Sequence, residues 1–177
     1  MRPLSTLEKS AVMSPYSASL IPRLQKIGWF EGRSVAVNPS VPSNHPAYQV
    51  LAELSGLRIV RDRTVEIDFQ YVTDDDGATV PLASALKTQM IGIGWHHYRH
   101  GQFFMTASGH VIGRDLEDDA FWLQGRTIEE AIADASSGKR SRPMLLPNQS
   151  EVMLYGEVFR HGNPAVVGPA SPELQSR

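Results

Sequence analysis

The chain has 177 residues, 41% of them apolar and 20% charged, with a formal net charge of −2. That length suits one domain with a proper core, and the near-neutral balance gives no general pull towards nucleic acid. Cysteine is absent, which excludes disulfides and thiolate zinc sites.

The charge is unevenly spread. Residues 61–119 hold ten acidic and five basic side chains, while the whole chain is almost balanced. An acidic middle favours a basic partner. The first twenty residues contain no apolar run of signal-peptide length, and no stretch approaches about 18 consecutive apolar residues, so neither a leader nor a membrane-spanning helix is expected.

Residues 1–18 read as a flexible arm, 19–140 as the folded domain and 141–177 as an extension that is partly disordered. A first helix is expected from Ser19, with Leu20, Leu24 and Ile27 on one face and Gly28 as its stop. Gly28-Trp29-Phe30-Glu31-Gly32-Arg33 then reads as a tight corner with Trp29 folded inward and Arg33 free to bond nearby carbonyls or a carboxylate. Val35 and Val37 suggest a short strand. Pro46 suits the first position of a helix whose apolar face is Ala47, Val50, Leu51 and Leu54, with Gly56 ending it.

The sheet begins at Leu57–Val60. Val65, Ile67, Phe69 and Tyr71 alternate with Glu66, Asp68 and Gln70, a strand with one dry and one wet face. Pro81–Met90 reads as a helix. Ile91, Ile93 and Trp95 alternate with small or polar residues. Phe103 and Met105 alternate with Phe104 and Thr106, and a Ser108-Gly109 turn leads to Val111 and Ile112, a hairpin signal. Ala120–Leu123 adds a strand. Thr127-Ile128-Glu129-Glu130 is a capping box opening a helix with Ile128, Ala131, Ile132 and Ala135 on one face and Gly138 as its stop. Glu151–Arg160 reads as an edge strand or docking segment. The sum is an α+β domain, an antiparallel-rich sheet with helices packed on it.

Catalytic constellations are scarce. His96, His97 and His100 are the residues that invite a metal reading, but adjacent strand residues point to opposite faces, so His96 and His97 share an ion poorly. Gly92-x-Gly94 lacks the third glycine of a dinucleotide site. Asp74-Asp75-Asp76-Gly77 lacks the alternating ligands of a calcium loop. Ser108 has no nucleophile-elbow context. No cofactor, no metal and no catalysis are expected.

Several segments in order resemble the SUKH superfamily of bacterial immunity proteins, most closely its third subgroup. They are Ile27-Gly28-Trp29-Phe30-Glu31-Gly32-Arg33, then His45-Pro46-Ala47 leading to Leu51-Ala52-Glu53-Leu54-Ser55-Gly56-Leu57, then Ile91-Gly92, Ser108-Gly109-His110-Val111-Ile112-Gly113 and the helix from Thr127 to Gly138. The resemblance spans roughly residues 20 to 138. It makes Gly28, Trp29, Gly32, Arg33 and Gly56 structural motif residues. It implies a non-enzymatic cytoplasmic protein that neutralises a cognate toxin, such as a nuclease or deaminase, by stoichiometric binding. The alternatives are a protein- or peptide-binding adaptor of the same superfamily and a small metal-dependent enzyme using the histidines.

The partner-binding residues expected on electrostatic grounds are Asp115, Glu117, Asp118 and Asp119, where five consecutive residues carry four carboxylates. Asp74, Asp75 and Asp76 form a second patch, and Trp95 is the apolar candidate. A basic toxin domain is the expected partner, with no direct nucleic acid and no membrane. The acidic loop is expected to be exposed, so that neutralising it leaves folding intact.

Overall fold

The computed structural model describes residues 16–175. The expected arm therefore lies mostly outside the described residues. Nine strands and five helices follow in the order α1 (Ile21–Lys26), α2 (Pro46–Leu54), β1 (Arg58–Arg61), β2 (Thr64–Val72), α3 (Val80–Leu86), β3 (Met90–His96), β4 (Gly101–Thr106), β5 (Val111–Asp115), β6 (Phe121–Gly125), α4 (Ile128–Ser137), β7 (Arg142–Met144), β8 (Glu151–Leu154), β9 (Glu157–Arg160) and α5 (Pro172–Gln175) among the described residues. Strands β1 to β7 form one antiparallel sheet in chain order, and β8 pairs only with β9. The α+β class read from sequence is what the chain forms.

Helices α2 and α4 obey their local signals, whereas α3 stops at Leu86 instead of reaching Met90, because Lys87 turns left-handed and Met90 already opens β3. Pro46 opens α2, and the His45 side chain caps it by accepting a hydrogen bond at Nδ1 from the Ala47 N–H at 3.1 Å. Thr127 caps α4, its hydroxyl accepting from the Glu130 N–H at 3.1 Å. The return half of the box shifts by one residue, since Glu130 accepts from the Arg126 N–H at 2.8 Å. Gly138 closes α4 with φ 70°. Leu51, Leu54, Ala131 and Ile132 face inward and are almost fully buried.

One layer of core lies between the sheet and α1, α2 and α4. It joins Leu24, Trp29, Leu51, Leu54 and Ile132 to Ile67, Phe69, Ile93, Phe103, Met105 and Trp122. The sheet curls, because α4 packs on both β6 and β1 although four strands separate them.

A second core lies on the other face. Leu82 of α3, Val167 and Met144 pack there on Ile112, Phe121 and Leu123. The sequence pointed to helices on a half-wet sheet. Instead the centre is covered on both sides, which is why Phe103, Phe104 and Met105 are all buried in succession. Glu66 departs from its expected wet face for a related reason. It is buried beside Arg61 where the curled sheet meets α4, next to Gly138.

Residues 141–175 continue this domain. β7 is the seventh strand of the sheet, and Val167, at 0% exposure, bridges to Met144. Arg142 donates to both carboxylate oxygens of Glu173 in α5. The expected disorder is not seen up to residue 175. Neither is a strand at Val35 and Val37, where the one ladder-like bond runs from the Val35 N–H to the Ala52 carbonyl of α2.

Gly92 and Gly94 have a structural role. Pairing of β3 with both neighbours shifts register here, and a Cβ on Gly92 would meet the Val72 carbonyl oxygen at 2.1 Å. Only a residue without a side chain lets the backbones approach this closely.

Candidate functional site: the loop end of the sheet

Three connections meet at one end of the sheet. They are the β1–β2 turn at Asp62-Arg63, the β3–β4 turn at His97–His100 and the β5–β6 loop at Leu116–Asp119. The Tyr98 hydroxyl donates to the Arg63 carbonyl at 2.6 Å. The Leu116 N–H donates to the His100 carbonyl at 2.9 Å, and His100 Nδ1 stands 3.0 Å from Glu117 Oε1. Asp62, Arg63, His97, Tyr98, Arg99 and Asp119 all have positive φ without being glycine. Three such residues in a row at 97–99 make a strained turn, and strain of this kind collects at functional sites. Tyr98 and Leu116 are exposed there.

The acidic residues expected to bind a partner divide into different roles. Arg114, whose side chain is only 5% exposed, lies among Asp74 at 3.6 Å, Asp76 at 2.7 Å and Asp119 at 2.7 Å. It brings together two patches that are far apart in sequence, and its single charge offsets one of their seven carboxylates. Hydrogen bonding to Arg114 holds the Asp76 carboxyl far below its ordinary range. Burial works against the Arg114 charge, but Asp76 and Asp119 outweigh it and raise the guanidinium pKa.

Asp115 is turned back on its own loop, Oδ1 accepting from the N–H groups of Glu117 at 2.7 Å and Asp118 at 3.0 Å. Glu117 faces His100. Asp75 and Asp118 remain exposed with no ion pair among the described residues. Trp95 sits in a row across the sheet, Asp68–Trp95–Gln102–Arg114, and Arg99 lies 5.6 Å over its ring.

The motif glycines and Arg33 belong elsewhere, at the corner between α1 and α2. Trp29 is buried edge-on to Tyr16 at 5.5 Å. Arg33 donates to the carbonyls of Glu53 and, at 2.7 Å, Ser55, so a cation meets the negative end of α2. Gly28, Gly32 and Gly56 take left-handed backbone around it.

Beside the loop end a cleft of about 420 Å³ opens between α4, the β5–β6 loop and the β8–β9 hairpin. Three larger depressions, of about 610, 770 and 570 Å³, are more open and contain none of the partner-binding candidates named from sequence. The cleft floor is aromatic. His96 packs edge-on against Phe103 at 5.2 Å and Trp122 at 5.3 Å. Trp122 Nε1 donates to Gln124 Oε1 at 2.9 Å, Ser141 donates to the same oxygen at 2.9 Å, and Gln124 Nε2 reaches the Ala131 carbonyl at 3.3 Å. The indole lies directly over Gly113, where a Cβ would fall 2.0 Å from the ring.

His96 Nδ1 is 3.1 Å from the Glu66 carbonyl oxygen. A carbonyl only accepts, so Nδ1 carries the proton and Nε2 keeps its lone pair. Burial lowers the His96 pKa, which favours the neutral ring. His100 is directed to Glu117 instead. Among the described residues no three histidine, aspartate or glutamate side chains are arranged to hold a metal ion.

Sequence reasoning missed Arg114, Glu66, Arg61 and Trp122. A lone arginine in an apolar strand was the one available signal for the first. No protein-family model, no curated protein and no solved structure matches this chain. Among the described residues no helix is long and apolar enough to cross a membrane.

Proposed function

We propose that this chain is an immunity-type binding protein that neutralises a basic toxin domain in a stoichiometric complex, using the loop end of its sheet. The observation that carries this reading is the junction of the strained 97–99 turn with the acidic 115–119 loop, through the His100–Glu117 contact at 3.0 Å. It puts Tyr98 and Arg99 on the turn that meets the acidic loop, with Trp95 under Arg99. Tyrosine, tryptophan and arginine are the residue types that dominate binding energy at protein interfaces. Carboxylates around them steer a basic partner and speed encounter. A nuclease has to be basic where it holds phosphates, so such a surface suits its inhibition. The sequence resemblance to SUKH immunity proteins points the same way.

The test is co-expression with the toxin domain of a neighbouring open reading frame. Growth should be rescued, and the two chains should co-elute at a ratio of about one to one, as stoichiometric inhibition requires. Toxicity that persists while this chain is expressed and folded would refute the reading.

A further inference from the structure

We propose that the cleft beside the loop end is a receptor for a guanidinium group, the side chain of an arginine presented by the basic partner. This rests on the binding reading above and names the chemistry that enters the cleft.

Each cation lining the cleft already has a carboxylate. Arg61 is 2.8 Å from Glu66, Lys139 is 2.9 Å from Asp134, and Arg140 is 2.7 Å from Glu157 while stacking on Tyr155. The acceptors are not matched in this way. Asp118 has no cation, and Asp115 spends only Oδ1 on its loop backbone. His96 offers the Nε2 lone pair.

Glu66 supplies the independent observation. Its side chain is 9% exposed, and Oε1 accepts no directed hydrogen bond although the Arg61 guanidinium is close. Arg61 therefore contributes charge to this oxygen but not a hydrogen bond. A buried acceptor in that state gains from a further donor brought to it.

Four acceptor groups on one cleft, over a floor of Phe103 and Trp122, match a flat cation with several N–H donors. Guanidinium has five donors in a plane. An ammonium has three donors around a point and a stronger hydration shell to lose. An anion would meet Asp115 and Asp118 with no unpaired cation to receive it.

The experiment titrates the isotope-labelled full chain with N-acetyl-arginine methylamide, followed by NMR at the Trp122 indole N–H and the His96 ring. Saturable shifts are expected, with a dissociation constant on the order of millimolar for a single side chain. N-acetyl-lysine methylamide should bind several-fold more weakly, and N-acetyl-glutamate should not bind. Asp118→Asn should weaken the arginine probe several-fold, whereas Asp75→Asn, also exposed but outside the cleft, should leave it unchanged. Shifts that never saturate, or an affinity indifferent to Asp118→Asn, would overturn the proposal. The two readings fail separately. Arginine binding without toxin protection keeps the cleft assignment and removes the immunity function. Protection without arginine binding does the reverse.

Discussion

Arg114 grips Asp76 with two parallel hydrogen bonds, Nη1 to Oδ1 at 2.9 Å and Nη2 to Oδ2 at 2.7 Å, across 38 residues of sequence. Its Nε donates to Asp119 at 2.7 Å. One buried guanidinium on β5 thus fastens the β2–α3 loop and the β5–β6 loop to the sheet. Arg114→Ala should destabilise the fold by about 2 kcal/mol, the scale of hydrogen bonds to a charged group discounted for exposed partners. A denaturant midpoint equal to wild type would show that the pairs are ornamental.

The same geometry changes how the acidic loop has to be tested. Asp115 holds its own loop and Asp119 holds Arg114, so neutralising all four carboxylates would disturb folding as well as charge. Glu117→Gln with Asp118→Asn removes two exposed charges and leaves the scaffold. Association with a basic toxin domain should slow by about tenfold at low salt, within the range that electrostatic steering spans. The difference should shrink as salt screens it. Stopped-flow association at two ionic strengths decides this, and equal rates at low salt would move attention to Trp95 and Tyr98.

Leu51→Ala and Ile132→Ala should each cost about 2–5 kcal/mol, because each empties a fully enclosed site between helix and sheet. Both side chains are at most 1% exposed. Urea titrations that leave either midpoint in place would count against the packing of α2 or α4.

His45 and His96 both have pKa values lowered by burial. The unfolded chain protonates them near pH 6.5. Below that value the unfolded state binds more protons than the folded one, so stability falls as pH decreases towards the folded pKa values. Above it the histidines contribute no pH dependence. His45→Asn keeps an N-cap for α2 while removing one titrating group. It should flatten the slope of melting temperature against pH between about pH 6.5 and 5, and a slope as steep as wild type would show that His45 does not carry the effect.

Much of the fold was legible where local rules act. Pro46, the Thr127 box and the Gly138 stop fixed two helices within a residue or two. Strands β2 to β6 followed their alternation or apolar runs. What escaped were consequences of distant chain. The second core depends on α3 and residues 141–175 returning over the sheet, although the unbroken run Phe103-Phe104-Met105 is the pattern of a strand buried twice. The loop-end site was legible in its parts, since Trp95, the histidines and the acidic loop all stood out. Their division between surface and scaffold was not. It turns on Arg114, whose partners are chosen by how the 73–79 segment folds back, and no short-range pattern encodes that.

The order of the seven strands in space is also their order along the chain. Each strand therefore finds its partner one connection away, and each closure costs only the entropy of a modest loop. For a sheet this wide, that keeps contacts local and favours rapid folding among β-rich domains. It also matches synthesis from the ribosome, which delivers β1 first. Every newly emerged strand meets an open edge left by the one before it and covers it. The last edge is β7 itself, and Val167 meets it by bridging to Met144, so that side of the sheet stays open to wrong pairing until residue 167 arrives.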